Sequence, residues 1–294
     1  MNKTLSSFIE EKKQIIEVEL ERKLDTLEIP QRLKESMLYS LEAGGKRLRP
    51  ILLLASYEAY NGKGDKALSA AAALEMIHTY SLIHDDLPAM DDDDLRRGKP
   101  TNHKVFDEAT AILAGDALLT FSFEIILDDP LLDSEEKVTL TRALTHASGA
   151  AGMVGGQIKD MQAEKTPITL DEMETIHDLK TGELLKFAVF AGAYLGRADK
   201  EQLAHLQRFA YYLGLIFQVQ DDILDVTGNE ERMGKAVGSD ESNEKSTYPK
   251  ILGLEGAINK KSTYVKKAQN SLKNAGADGT LLEMLINYIS ERDH

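Results

Sequence analysis

Cysteine is absent from the 294 residues, so disulfides, thiolate metal sites and a cysteine nucleophile are all excluded. Long apolar runs are missing too: the best, Ile51 to Ala55, falls far short of the ~18 residues that a membrane span needs. The N-terminal MNKTLSSFIEEKK turns acidic where an export signal would need its apolar core, so the expectation is a cytoplasmic chain with no stable membrane insertion. Prolines number only 7, and no low-complexity linker or shift in composition divides the chain. That argues for a single domain over residues 1–294. Net positive charge is also lacking, since 49 acidic residues against 35 basic ones leave −14. Such a surface repels nucleic acid and anionic lipid unless basic residues are locally concentrated. They are concentrated twice, as Lys46, Arg47, Arg49 and as Arg96, Arg97, Lys99. Each cluster is short and sits beside glycine, which suits an anion pocket better than a polymer-binding stripe.

What is present reads as helix. Helix-forming stretches cover roughly residues 4–25, 30–42, 49–60, 66–86, 105–128, 135–163, 170–195, 200–226, 248–274 and 279–291. Breaks fall at Gly44-Gly45, Asn61-Gly62-Lys63-Gly64, Asp129-Pro130, Thr166-Pro167, Gly196, Gly228 and Gly276. No convincing alternating strand is found. Ala70 to Ile83 and Tyr211 to Ile223 are apolar almost all round, which implies burial inside a bundle. The fold class expected is all-α. Gly228 to Lys245 is polar and glycine-punctuated and reads as a loop.

Two aspartate clusters carry chemistry. In Asp221-Asp222-Ile223-Leu224-Asp225, the first and last carboxylates are one helical turn apart on one face. The apolar run Leu213 to Val219 leads into them, and carboxylates near apolar surroundings are costly unless a cation or partner neutralises them. All-oxygen ligands favour a hard ion such as Mg²⁺, which commonly brings phosphate oxygens with it. A solvated acidic helix end is an equally good reading of this motif alone. The first cluster is less ordinary: Asp85 and Asp86 end an apolar helix, and Asp91 to Asp94 follow after Leu87-Pro88-Ala89-Met90. Pro88 forbids a regular helix there, so the chain can bend and return Asp91 beside Asp85. Arg96-Arg97-Gly98-Lys99 comes directly after, and cations for anions beside anions for cations suggest a metal-bridged polyphosphate.

At Gly44-Gly45-Lys46-Arg47-Leu48-Arg49-Pro50, glycines open backbone N–H groups just before a helix, and three cations in four residues complete an anion site. It is not a P-loop, because the GxxxxGK[ST] spacing is absent. Taken alone, a basic surface turn would explain it better.

Together the strings GGKRLRP, HTYSLIHDDLPAMDDDDLRRGKPTNH, AGDALLTFSFE, GGQIKD, KTGELLKF and FQVQDDILD, with Gly234-Lys235 and Lys245 beyond, resemble the trans-isoprenyl diphosphate synthases, specifically the bacterial-type farnesyl diphosphate synthases. The resemblance runs from about residue 44 to 245. It implies an all-α bundle around a deep cavity, usually a homodimer, with both aspartate motifs at its mouth holding three Mg²⁺ on an allylic diphosphate. By position, Asp85, Asp91 and Asp221 would be metal ligands, supported by Asp86 and Asp225. Arg96, Lys180, Lys235 and Lys245 would hold the allylic diphosphate. Gly45, Lys46, Arg49, His78 and Arg97 would hold isopentenyl diphosphate. Thr181 and Gln218 would stabilise the developing allylic cation, with Lys180 catalytic through the diphosphate it holds, and Gln157 and Asp160 would line the same cavity.

The resemblance also bears on product length. Tyr80 stands five residues before Asp85, roughly 7.5 Å down the helix axis, with Ser81 beside it. In this family, an aromatic near that point, or a two-residue insertion within the first motif, truncates the pocket, and both are present. Farnesyl diphosphate is therefore the expected product, with geranylgeranyl diphosphate the alternative. A terpene cyclase would lack the isopentenyl site, and a non-catalytic synthase subunit would have degraded one aspartate motif; here GGKRLRP, Arg97 and both motifs are intact. A phosphohydrolase would add metal-binding histidines, for which His84 alone is thin support.

Overall fold

The computed structural model describes residues 3–60, 62–164, 166–227 and 246–292. Among them are thirteen α-helices, one π-helical turn and a two-residue hairpin. The first helices are α1 (Lys3–Asp25), α2 (Gln31–Leu41), α3 (Leu48–Glu58) and α4 (Leu68–Asp85). The short α5 (Asn102–Val105) precedes α6 (Glu108–Leu127), α7 (Ser134–Ser148), α8 (Met153–Ala163) and α9 (Leu170–His177). The π-turn Asp178–Gly182 runs straight into α10 (Glu183–Leu195), followed by α11 (Lys200–Thr227), α12 (Tyr248–Asn274) and α13 (Thr280–Glu291).

Helix starts are set locally. Asp133 and Glu136 form a reciprocal capping box for α7, and Thr169 and Glu172 do so for α9. Thr247 caps α12, with Pro249 in its first turn. α4 is buried on every side, from Ser69 to Ile77 without interruption, because alanines and aliphatics occupy all its faces. It packs along α6, while α10 packs along α3 and α11 along α12.

Three sequence expectations need correction. No strand was expected, yet Leu95–Arg96 pairs with Lys99–Pro100 around Arg97-Gly98, whose φ values of 54° and 75° make the two-residue turn that suits a hairpin. Strands of two residues have no period to read. The stretch 135–163 is two helices, because Gly149 and Gly152 leave the helical region. Finally, α6 is long and apolar enough by length and composition to cross a membrane. It contains Glu108, Asp116 and Glu124, and it sets Ala111, Ala114, Leu118, Ile125 and Ile126 into the bundle core.

Candidate active site

α4 delivers Asp85 as its last residue and Asp86 just beyond, at the end of the buried helix. Pro88 then turns the chain as expected: the Asp91 N–H donates to the Asp85 carbonyl at 2.8 Å, and Asp92 sits at a φ of 52°. Burial, opposed by Lys180 and reinforced by Asp91, pushes the Asp85 carboxyl up to about 6. Asp86 is turned aside. It is 3 % exposed and accepts from Arg96 Nε at 2.6 Å, and Arg96 Nη2 also reaches Asp93 at 3.2 Å. Asp86 and Arg96, assigned from the sequence to a metal and to a phosphate, are therefore partners of each other.

The second motif ends α11. Asp221 accepts from Arg292 Nη2 at 2.5 Å, Asp225 is buried, and Asp222 accepts from the Tyr248 N–H at 2.8 Å, which fixes the first turn of α12. Among the described residues no three carboxylate or histidine side chains converge to enclose an ion. Asp85 and Asp91 nevertheless fit a hard divalent cation: they are all-oxygen donors, and burial of Asp85, with the exposed Asp91 nearby, raises a carboxyl whose charge a cation would favour.

The basic cluster lines a cavity of about 520 Å³ with Gly45, Lys46, Arg47, Arg49, Glu75, His78, Arg97, Phe217 and Arg292 on its walls. Gly45 has a φ of 124°, and a Cβ there would lie 2.6 Å from the Arg97 guanidinium, so only glycine lets Arg97 fold back onto the Gly44 carbonyl. Arg49 Nη1 lies 3.2 Å from His78 Nε2. Burial, then Arg49, Arg97, Arg47 and Arg96, hold His78 well below its ordinary range, so it is a neutral acceptor. Arg49 Nε is buried without a hydrogen-bond partner, a donor that an anion would satisfy. Arg47 departs from the expected anion triad. It takes a φ of 49° and turns inward to Glu75 Oε1 at 2.6 Å, with both side chains almost wholly buried.

A second cavity, of about 450 Å³, is lined by Tyr80, Ser81, His84, Asp85, Met90, Met153, Gln157, Met161, Lys180, Thr181 and others. Arg49 and His78 line both cavities, so the two meet there. Tyr80 is 5 % exposed, and its hydroxyl is pushed up to about 12 by burial and then by Asp85. It packs edge-on to His84, with ring centroids 5.7 Å apart. Gly115 of α6 allows this approach, because a Cβ there would meet His84 Nε2 at 2.2 Å. Lys180 Nζ pairs with Asp160 Oδ2 at 2.6 Å, and the Thr181 hydroxyl donates to Gln218 Oε1 at 3.1 Å. Lys235 and Lys245 lie outside the described residues.

On the wall of the basic cavity, sequence reasoning missed Glu75, Phe217 and Arg292. Glu75 was findable, as the one charge within the apolar run Ala70 to Ile77. Phe217 and Arg292 were not: Arg292 follows α13 in a short polar end, and only the fold brings it to 4.1 Å from the Phe217 ring and onto Asp221.

Comparison with known proteins agrees with this geometry. The sequence model of the family described as Polyprenyl synthetase matches residues 30–288. A farnesyl diphosphate synthase of Geobacillus stearothermophilus is 51 % identical over 293 residues, 99 % of either chain. One from Bacillus subtilis (strain 168) is 51 % identical over the whole of both chains. The solved apo structure of an FPP/GFPP synthase from Zymomonas mobilis superposes with a TM-score of 0.88 at 39 % identity, covering 98 % of this chain and 99 % of that one. With two aspartate motifs at the end of buried helices, a basic cavity and an apolar one meeting beside them, the chain belongs to the polyprenyl synthetase family.

Proposed function

We propose that the chain condenses isopentenyl diphosphate head-to-tail with dimethylallyl and then geranyl diphosphate, giving farnesyl diphosphate. The observation that carries this is the junction of the two cavities at Arg49 and His78. One cavity has the charge to hold a diphosphate, and the other has the apolar walls to hold a prenyl tail. The wall formed by Tyr80 limits the tail and supports a C15 rather than a C20 product.

In this reading Lys46, Arg49 and Arg97 bind the diphosphate of isopentenyl diphosphate, and Arg49 Nε gains the acceptor it lacks. Neutral His78 holds the Arg49 guanidinium in place. Lys180 and Arg96 bind the allylic diphosphate, with Lys235 and Lys245 assigned by position alone. Asp85 and Asp91 from the first motif, and Asp221 with Asp225 from the second, would hold Mg²⁺, three ions by family analogy, which would supply positive charge to the departing diphosphate as the allylic C–O bond ionises. The Thr181 hydroxyl, on the wall of the apolar cavity and bonded to Gln218, is placed in this reading to stabilise the positive charge left on the prenyl carbon. The double bond of isopentenyl diphosphate attacks that carbon, and a proton leaves to the released diphosphate, which completes a 1′-4 bond. No protein nucleophile is needed.

The unit is one domain over residues 1–294, working in the cytoplasm as a homodimer. Exposed apolar side chains on neighbouring helices support the dimer: Ile112, Leu113 and Leu127 of α6, and Val138 of α7. The test is incubation with isopentenyl diphosphate, dimethylallyl diphosphate and Mg²⁺, followed by sizing of the products. Farnesyl diphosphate is expected; absence of any elongation would sink the proposal.

A further inference from the structure

Lys180 and Thr181 are consecutive residues, and both line one cavity. The turn that carries them is π-helical: the Glu183 N–H reaches back five residues to the Asp178 carbonyl. A π-turn is locally unfavourable and persists only where neighbours hold it. Two of its supports are close backbone approaches. A Cβ on Gly156 of α8 would lie 2.3 Å from the Lys180 amide nitrogen, and one on Gly214 of α11 would lie 3.1 Å from the Gly182 Cα.

The third support is a side chain. Lys186, one turn into α10, places Nζ 2.6 Å from Asp178 Oδ1, 2.7 Å from Asp178 Oδ2 and 2.9 Å from Glu183 Oε1. Asp178 opens the π-turn and Glu183 is the first residue after it. The ammonium therefore closes a bracket around Lys180, Thr181 and Gly182, with the Tyr211 ring 5.5 Å away on its other side. Burial disfavours the ammonium, but its bonds to Asp178 and Glu183 outweigh that and hold Lys186 in its charged form. None of Asp178, Glu183 and Lys186 lines either cavity.

We propose that Lys186 is a positioning residue: by tying Asp178 to Glu183 across the π-turn, it aims Lys180 at the allylic diphosphate and Thr181 at the reacting carbon. This rests on the roles given above to Lys180 and Thr181. Without the bracket the turn is free to relax toward α-helical winding, which rotates both side chains away from Asp160 and Gln218.

The test compares Lys186→Met, Lys186→Arg, Asp178→Asn and the double variant Lys186→Met/Asp178→Asn with Lys180→Gln in single-turnover assays. A misplacement of about 1 Å costs up to roughly 100-fold in rate, so Lys186→Met should lower the condensation rate about 10- to 100-fold. KM for isopentenyl diphosphate should stay within about twofold, because its cavity is not touched. Lys186→Arg, which can still span both carboxylates, should recover most of the rate. The double variant should be no worse than the poorer single one, because either change already opens the bracket. A Lys186→Met enzyme with the wild-type rate, or equal losses in Met and Arg variants, overturns the proposal. If Lys186→Met does not fold, Asp178→Asn carries the same expectation, with a smaller loss. An unaffected Lys180→Gln enzyme would instead refute the reading of Lys180 on which the proposal rests.

Discussion

Asp85→Asn should separate stability from activity. Burial, opposed by Lys180 and reinforced by Asp91, raises the folded carboxyl from the ordinary 3.8 to about 6. The folded protein thus holds this proton more tightly than the unfolded chain does. The contribution of Asp85 is complete at low pH and is lost as pH rises from about 4 through 6. A shift of about two units corresponds to roughly 3 kcal/mol, an upper limit, because the Asn variant also forfeits the attraction of Lys180. In EDTA at pH 8, Asp85→Asn is expected to be about 1–3 kcal/mol more stable than the wild type, and near pH 4 the two should coincide. Urea denaturation at intervals across that range measures the difference directly. Added Mg²⁺ with an unreactive allylic diphosphate analogue should reverse the order, because the ligands stabilise only the protein that binds them. The variant should also have lost the condensation reaction. Parallel stability profiles for the two proteins between pH 4 and 8 would show that Asp85 carries no such strain and would refute the reasoning.

Tyr80→Ala should extend the product beyond farnesyl diphosphate, because a buried ring that walls the tail cavity is removed; unchanged product length by chromatography would refute its role as the limit. Gly45→Ala forces a Cβ against the Arg97 guanidinium at a φ of 124°, so KM for isopentenyl diphosphate should rise about tenfold or more, as expected for a weakened hydrogen bond to a charged group. KM for the allylic substrate should move little. Asp222→Ala removes the acceptor of the Tyr248 N–H, leaves that buried donor unsatisfied and should cost about 1–2 kcal/mol, whereas Asp222→Asn keeps an acceptor and should unfold near the wild-type midpoint. If the two variants instead differ from wild type only in their Mg²⁺ dependence, Asp222 is a metal ligand and not an anchor for the start of α12.

The parts of this architecture legible in the sequence are those set by local chemistry. Alanine and leucine around the whole of α4 announced its burial, and Pro88 announced the bend that returns Asp91 to Asp85. The stretches expected to begin at residues 135, 170 and 248 begin in the structure at Ser134, Leu170 and Tyr248. What was illegible depends on contacts between distant segments. Arg47 and Arg49 are two residues apart in one basic string, yet one serves Glu75 and the other faces a cavity, a choice made by the left-handed conformation at Arg47. Asp86 and Arg96 looked like ligands for different partners until the hairpin brought them together. Nothing in KTGELLKF signals a π-turn, since its glycine supports, Gly156 and Gly214, lie on other helices. Arg292 reaches the site only because Gln220 holds its carbonyl at 2.7 Å and Lys261 bonds both Gln220 and the Ser290 carbonyl.

The balance of charge in the basic cavity leads to one more expectation. Among the described residues Lys46, Arg47, Arg49, Arg97 and Arg292 line it, against Glu75 in the wall and Asp221 bonded to Arg292. Glu75 is already committed to Arg47, and burial with the neighbouring Arg97 lowers the guanidinium of Arg49 despite the pull of Glu75. Cations this concentrated repel one another and are poorly hydrated, so the folded state is held below the stability its core would allow. A diphosphate relieves both costs at once, by hydrogen bonding to buried donors and by cancelling charge. Inorganic diphosphate in EDTA, with no metal and no prenyl tail, should therefore raise the melting temperature, by about 2.7 kcal/mol of stabilisation at 100 times its dissociation constant. Arg49→Gln should abolish most of that gain, because it removes the buried donor Nε, while Tyr80→Ala should leave it intact. A gain equal in wild type and Arg49→Gln would place the anion somewhere other than this cavity.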